Sequence, residues 1–266
     1  MARNRVSAKR VPAGLRFGAS AGVLAAVLFG GTASSAVITA SQISPGSQTD
    51  TAQGFTFEAN ERFGVDSGDF EPGGTLADKG LNGETGIGIN ESDGSPGDTG
   101  GEIDRDERLD VFASDRSAFE VPGLSLTFLY PNPRFEDPNE GARVSIADGS
   151  GSEIEAVEIV RTGATDDPTN IEFDGSPNPS LVENITAASE ADAARVDIGA
   201  LFDSQRASEL RFSALNRGGG PDDFSDFSVA QVDVQEVPAP NALALLGVGL
   251  VGLGVAARKR GGRSMA

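Results

Sequence analysis

The chain lacks cysteine, histidine and tryptophan altogether, and it has a single tyrosine in 266 residues. Without cysteine the protein cannot form a disulfide, a thiolate nucleophile or a zinc–thiolate centre. Without histidine it cannot build a Ser–His–Asp triad or an imidazole-ligated metal site. Carboxylate, hydroxyl, lysine and arginine chemistry remain, together with oxygen-ligated cations. The alternative is a protein with no catalytic chemistry.

Acidic residues are absent from both ends of the chain, where basic residues are concentrated. Residues 1–36 carry five basic side chains, and residues 258–266 carry four. The segment between them holds 12 basic and 40 acidic residues, a net charge of −28. Such a body repels nucleic acid and anionic lipid, so we expect neither as a partner. Basic ends around an acidic body indicate export with membrane-directed termini.

The N-terminal 36 residues have the three parts of a secretory signal peptide. A basic segment ends at Arg16, and an uncharged, mostly apolar stretch of 15 residues follows over 17–31. Ser34 and Ala36 provide the small side chains expected at a cleavage site after Ala36. The apolar stretch is shorter than the roughly 20 residues of a stable transmembrane helix. We therefore expect removal by signal peptidase, the alternative being a retained membrane anchor.

The last 30 residues, 237–266, combine a proline motif, an apolar span and a basic end. The motif is Val237, Pro238, Ala239 and Pro240, the uncharged span is 242–257, and the basic end over 258–263 begins with Arg258, Lys259 and Arg260. As a helix the span would be about 24 Å long, slightly shorter than a bilayer core. Basic residues directly after an apolar span stop transfer and stay in the cytoplasm, so the acidic body is expected outside.

This three-part order resembles the PEP-CTERM sorting tail of exported bacterial proteins. The resemblance implies that a transmembrane helix holds the protein in the inner membrane until an exosortase-type membrane protease cuts near the proline motif. Ala239 stands where the family has glutamate, so the tail resembles a Pro-Ala-Pro variant. The alternative is a plain C-terminal anchor that is never cleaved.

Residues 37–236 show the pattern of an acidic all-β domain. Polar residues at alternate positions predict antiparallel sheets with one wet face each, packed as a β-sandwich of jelly-roll type. The alternative is a largely disordered acidic coat. Ten short apolar or alternating runs are separated by turn-forming residues, at 54–58, 108–112, 124–130, 143–146, 154–160, 170–173, 181–185, 195–198, 209–214 and 226–234.

Three local features add detail to this prediction. Leu124, Leu126, Phe128 and Tyr130 alternate along one run, so we expect them on one core-facing side. The run 226–234 slips out of alternation near Ala230, which predicts a β-bulge. The stretch 66–101 is rich in glycine, aspartate and proline, and we expect a long mobile loop there.

Acidic residues cluster most closely at Glu102, Asp104, Asp106 and Asp110. Alternate spacing places the first three on one side of an extended segment, and carboxylate oxygens are the ligands that calcium prefers. No EF-hand spacing is present. In a body of this charge a solvated acidic loop is the plainer interpretation, and a calcium site is the alternative. We expect no other cofactor.

No catalytic signature stands out among the 40 acidic residues, since carboxylate pairs suited to a glycosidase arise by chance in such a chain. The lack of tryptophan removes the best platform for stacking on sugars. We therefore expect a non-enzymatic protein of the cell surface or extracellular matrix, structural or adhesive in role and associated with extracellular polysaccharide. The alternatives are a calcium-dependent carbohydrate-binding module and a secreted polysaccharide hydrolase.

Overall fold

The computed structural model describes residues 34–62, 70–81, 83–90, 100–104, 106–131, 140–187, 193–215 and 225–237. This part of the chain is all-β, with two single-turn 3-10 helices at Ala40–Gln42 and Pro168–Asn170. Its strands are β1 (Ser35–Thr39), β2 (Thr49–Ala52), β3 (Phe55–Glu61), β4 (Glu71–Pro72), β5 (Thr75–Leu81), β6 (Glu84–Asn90), β7 (Glu107–Ala113), β8 (Phe119–Leu129), β9 (Gly141–Ala147), β10 (Glu153–Arg161), β11 (Ile171–Phe173), β12 (Ser176–Pro177), β13 (Val182–Ala187), β14 (Ala194–Gly199), β15 (Glu209–Ala214) and β16 (Ser228–Glu236).

The strands form two sheets. The seven-stranded sheet has the order β13-β14-β8-β16-β6-β5, with β1 also paired to β16. The nine-stranded sheet has the order β12-β11-β10-β9-β15-β7-β3-β2, with β4 also paired to β3. Every pairing between the described strands is antiparallel. The predicted all-β, antiparallel architecture is confirmed, and the jelly-roll order stays a prediction.

One hydrophobic core joins the two sheets in a sandwich-like arrangement. Leu126 and Val196 of the seven-stranded sheet and Val111 of the nine-stranded sheet belong to the same buried cluster. Phe55 of β3 and Phe119 of β8 meet edge to face across it, with ring centroids 5.2 Å apart. Because alternate residues of each strand face the core, the polar alternate residues form the outer face of each sheet.

All ten runs predicted from alternation coincide with strands, namely β3, β7, β8, β9, β10, β11, β13, β14, β15 and β16. The predicted bulge is also confirmed, because the pairing of β16 with β8 shifts between Val229 and Gln231 and leaves Ala230 as the extra residue. Alternation was therefore a sufficient signal for these ten strands, while β1, β2, β4, β5, β6 and β12 were not predicted.

The stretch 66–101 differs from the predicted loop. Two of its segments form the β5–β6 hairpin, and Leu76, Ile87 and Ile89 are buried in the core. Gly86 and Gly88 within β6 serve close packing rather than turns. A Cβ on Gly86 would lie 2.3 Å from the Ser228 Cβ, and one on Gly88 would lie 2.4 Å from the Gly101 carbonyl oxygen. The loop prediction is wrong for this hairpin because glycine was taken as a turn signal.

The end of β8 also departs from simple alternation. Phe128 has a φ of 62°, and the pairing with β14 shifts between Leu126 and Leu129. This local change puts Leu129 in the core beside Leu126, while Phe128 lies under the side chain of Lys79 with its ring centroid 5.1 Å from Nζ. Phe128 is buried as expected, at 1% exposure, but the regular alternation that placed it on one side with Leu126 is broken here.

The last strand, β16, is a central strand of its sheet. It pairs with β8 along one edge, and with β6 and β1 along the other. In the β1 pairing Ser35 lies opposite Gln235, so the first and last described strands run side by side in opposite directions. After β16 the Val237 N–H donates to the Ala118 carbonyl at 3.2 Å. The described backbone contacts therefore include Val237, the first residue of the proline motif.

Candidate functional site

The structure distributes the four acidic residues of the predicted calcium site over separate places. Glu102 forms a bridge with Ile89 of β6, whereas Asp110 lies in β7 of the other sheet. Among the residues that the structure describes, no group of three or more acidic side chains is placed to hold a metal ion. Calcium binding stays a prediction, without a preformed cluster in this part of the chain.

Asp104 and Asp106 belong to the turn that leads into β7. The Asp104 N–H donates to the Glu107 carboxylate at 2.9 Å, and the Glu107 N–H donates back to the Asp104 carbonyl at 3.1 Å. The Asp106 carbonyl accepts from the Arg62 N–H at 2.7 Å. Their backbone contacts thus give these two residues a structural role in positioning the start of β7.

Glu102 takes part in a buried charge cluster. Its side chain is only 3% exposed and forms an ion pair with Lys79 Nζ. Nearby, Glu140 accepts a hydrogen bond from the Tyr130 N–H at 2.7 Å. Burial raises the pKa of Glu140 to about 10, and the negative charges of Asp226 and Glu102 add to the shift, against the opposing effects of Tyr130 and Lys79. Glu140 is therefore a neutral acid at neutral pH.

The residues of the export signals lie mostly outside the described part of the chain. Ser34 and Ala36 are described, and Ala36 is paired with Val234 within β1 and β16. Val237 ends the last described segment, while Pro238, Ala239, Pro240, the span 242–257 and Arg258, Lys259 and Arg260 fall outside it. Within the described residues no helix is long and apolar enough to cross a bilayer.

The outer face of the nine-stranded sheet carries a groove that the sequence analysis did not predict. The groove has a volume of about 300 Å³ and we call it the arginine groove. Its lining includes four arginines, one aromatic ring and two serines: Arg62, Arg108, Arg143, Arg211, Phe70, Ser145 and Ser213.

Strand register brings these side chains together. Arg108 of β7 lies opposite Ser213 of β15, which in turn lies opposite Arg143 of β9. In the next row on the same face, Arg211 of β15 lies between Asp110 of β7 and Ser145 of β9. Directly paired residues share a face of the sheet, so donors and acceptors alternate across three neighbouring strands.

Carboxylates hold three of the four arginines in fixed, two-point ion pairs. Arg108 donates to Asp110 at 2.7 and 2.6 Å, and Arg211 donates to Glu209 at 2.9 and 3.0 Å. Arg143 donates to Glu153 at 2.8 and 2.7 Å, at a more exposed position. Two parallel N–H bonds fix the plane of each guanidinium and leave its remaining N–H groups to other acceptors.

Arg62, just after β3, is the exception. Its guanidinium lies 4.8 Å from the centroid of the Phe70 ring, and the Arg108 guanidinium lies 4.7 Å from the same centroid. Arg62 Nε is buried and has no hydrogen-bond partner among the described residues. A buried guanidinium donor without an acceptor is unfavourable, so this position favours an acceptor from outside.

Two carboxyl groups near the groove influence each other. Burial raises the pKa of Asp110 to about 7, although Arg108 opposes the shift, and Glu209 raises it further. Burial also acts on Glu209, but its hydrogen bonds to Arg211 and Asp110 outweigh burial and lower its pKa. The two carboxyl groups share a hydrogen bond, so they lie closer together than the about 5 Å or more that separates the catalytic pair of a glycosidase.

A sequence signal for the groove does exist. Arg108 and Asp110 are two residues apart in one strand, as are Glu209 and Arg211 in another. Opposite charges at this spacing lie on the same face of a strand and pair there. What the pattern could not indicate is that these strands are neighbours, since that depends on the pairing of β7 with β15.

Comparison with known protein families, curated protein sequences and solved structures finds no match for this chain.

Proposed function

We propose that the protein is exported, held in the inner membrane by its C-terminal segment, and cut near Pro238–Pro240 by an exosortase-type protease. It then resides at the cell surface or in the extracellular matrix, with a structural or adhesive role and no catalytic activity. In this proposal residues 1–36 are a signal peptide, and 242–257 are a transmembrane sorting helix followed by the stop-transfer residues Arg258, Lys259 and Arg260.

The observation that carries the proposal is the place where the last described strand ends. β16 ends at Glu236, and the motif follows from Val237 onward. A cut at Pro238 or beyond leaves every described strand intact. A cut only a few residues earlier would shorten a central strand of the seven-stranded sheet. The motif therefore begins directly after the last described strand.

The short distance between body and span favours a protease that works within the membrane. Four residues separate Val237, which is still bonded to Ala118, from the start of the apolar span at Ala242. Four residues reach at most about 14 Å when fully extended. A soluble protease would have to fit between the folded body and the lipid surface, whereas a membrane-embedded enzyme approaches from the lipid side.

The N-terminal end of the body supports the same topology. Since Ser35 lies opposite Gln235, the segments predicted to contact the membrane leave the body at one end of the seven-stranded sheet. Cleavage after Ala36 would remove two residues from β1 and keep Val37, Ile38 and Thr39 paired with β16. The mature chain would thus retain a shortened first strand.

The arginine groove favours a role in binding or adhesion over a structural role without a ligand. A carbohydrate-binding module is therefore the second candidate function. The hydrolase alternative gains no support from Asp110 and Glu209, because their carboxyl groups share a hydrogen bond instead of facing each other across a cleft.

Two epitope tags test the proposal in a bacterium that carries an exosortase-type protease. One tag is inserted into the exposed turn after Gly149, between β9 and β10, and the other follows Ala266. We expect surface protein that carries the first tag and lacks the second. A Pro238→Ala/Pro240→Ala variant should keep both tags in the membrane fraction. Surface protein that retains both tags in the unsubstituted chain would contradict the proposal.

A further inference from the structure

The arginine groove concentrates positive charge in a body that has very little of it. Four of the 12 basic residues between positions 37 and 257 line this one groove. They come from β3, β7, β9 and β15 or their ends, so no single charged segment accounts for the concentration. On a body with a net charge of −28, such a local site is suited to retain a ligand that carries one negative charge.

The number of arginines and carboxylates at the groove indicates the charge of its ligand. Asp110, Glu209 and Glu153 each hold one arginine through two hydrogen bonds. The remaining cation is Arg62, whose buried Nε has no acceptor within the described part of the chain. Among the described residues Arg62 forms no two-point ion pair, and its planar guanidinium fits a single carboxylate, which can accept two parallel hydrogen bonds from it.

The rest of the lining fits hydroxyl groups. Ser213 offers a hydroxyl that donates or accepts, the paired arginines retain N–H donors, and Glu153 is a partly exposed acceptor. These groups alternate at the spacing of neighbouring strands, about 4.8 Å. The Phe70 ring, already between two guanidinium groups, provides the apolar contact beside them.

Polyphosphates and nucleic acids fit this site less well. They offer few hydroxyl groups to Ser213 and Glu153, and the acidic surface around the groove would repel their closely spaced phosphate charges. An apolar ligand fits no better, because it would leave the serines and the guanidinium groups without partners.

We propose that the arginine groove binds a uronic acid unit of a polysaccharide, with the sugar carboxylate on Arg62 and the sugar hydroxyls on Ser213 and Glu153. The groove itself is independent of the export pathway. The choice of a polysaccharide over another monocarboxylate rests on the proposed function, which places the body among extracellular polymers.

Binding is tested with the full chain purified in a mild nonionic detergent. Tetragalacturonate is the probe, and its fully methyl-esterified form is the control, since the ester keeps the sugar backbone and loses the carboxylate charge. Isothermal titration calorimetry should detect the acid at millimolar concentration or below and give at least about tenfold weaker binding for the ester. Equal binding of both forms, or no binding of the acid, would overturn the proposal.

Variants locate the site. Arg62→Gln should weaken tetragalacturonate binding about tenfold or more, because it removes the charge-assisted hydrogen bonds. Arg206→Gln removes the same charge from a side chain that is 64% exposed and outside the groove, and should bind like the unsubstituted chain. Thermal unfolding of each variant checks the fold. A folded Arg62→Gln protein with unchanged affinity would overturn the assignment, as would equal weakening by Arg206→Gln.

A hexaglutamate peptide tests whether the carboxylate comes from an acidic protein instead of a sugar. Binding of this peptide as tight as that of tetragalacturonate would overturn the saccharide assignment in favour of an acidic protein partner. The binding experiments do not depend on tail cleavage. Failure here leaves the epitope-tag result untouched, and a retained C-terminal tag leaves the affinities untouched.

Discussion

The buried acid Glu140 makes a prediction that can be worked out quantitatively. Its pKa is about 10 in the folded protein, against 4.5 for an unperturbed glutamate. The raised pKa means that the folded state holds a proton which the unfolded state releases. Glu140 therefore does not reduce the free energy of unfolding below about pH 4.5. Above that pH the free energy of unfolding falls as the pH rises toward the folded pKa. Between pH 4.5 and neutral pH the proton held by Glu140 lowers the free energy of unfolding by about 3 kcal/mol, at about 1.4 kcal/mol for each pH unit.

Replacement of Glu140 by glutamine should remove this cost. The side-chain amide oxygen can still accept the Tyr130 N–H, and no proton is lost on unfolding. We expect Glu140→Gln to raise the free energy of unfolding by up to about 3 kcal/mol near neutral pH and to leave it nearly unchanged near pH 4. The difference between the two proteins should grow steadily with pH.

Urea unfolding at several pH values between about 4 and 8, followed by far-ultraviolet circular dichroism, measures this difference. Glu183→Gln is the matched control, because Glu183 is exposed and the change in composition is the same. A Glu140→Gln protein whose stability follows the same pH curve as the unsubstituted chain would refute the reasoning. So would a Glu183→Gln protein that shows the same gain.

Three further predictions concern the fold. Arg161→Met should cost about 3 kcal/mol or more in urea unfolding, because fully buried Arg161 donates to three backbone carbonyls that would lose their partner. Gly88→Ala should lower the melting temperature clearly, at a cost of about 1–3 kcal/mol, whereas Gly80→Ala, with its nearest neighbour at 3.9 Å, should not. A chain that ends at residue 227 should lose cooperative unfolding by circular dichroism and one that ends at 237 should keep it, since β16 is a central strand. Arg161→Met or Gly88→Ala proteins as stable as the parent, or cooperative unfolding of the shorter chain, would contradict these accounts.

Ten strands of the body were predictable because most of them have one solvent-exposed face and one buried face. β15, for example, alternates between the core residues Leu210 and Phe212 and the outer-face residues Glu209, Arg211 and Ser213. Its predicted bounds, 209–214, are those of the structure. Such alternation is a local property of the chain, so it requires no knowledge of the neighbouring strands.

The β5–β6 hairpin was missed because its packing signal is not local. Gly86 and Gly88 lack side chains since Ser228 and the backbone of residues 101 and 102 lie against them. Nothing in the stretch itself distinguishes a glycine needed for such contact from a glycine that starts a turn. Phe128 is similar, because its place in the fold depends on a register shift between β8 and β14.

The candidate site was predicted least well. Spacing along the chain grouped Glu102 with Asp110, while the sheets separate them and give each its own cation, Lys79 and Arg108. The arginine groove joins positions from 62 to 211, which become neighbours only through the register of four strands. Pairs of opposite charges within one strand are readable from sequence, but their assembly into a groove follows from the strand order.

Mass spectrometry of the mature protein isolated from the cell surface tests the central claim most directly. We predict a chain that begins at Val37 and ends within or shortly after the motif Pro238–Pro240, with the described strands β2 to β16 retained and residues 242–266 absent. A mature surface protein that still carries the intact hydrophobic terminus would contradict the account, and so would recovery of the whole chain from the cytosol.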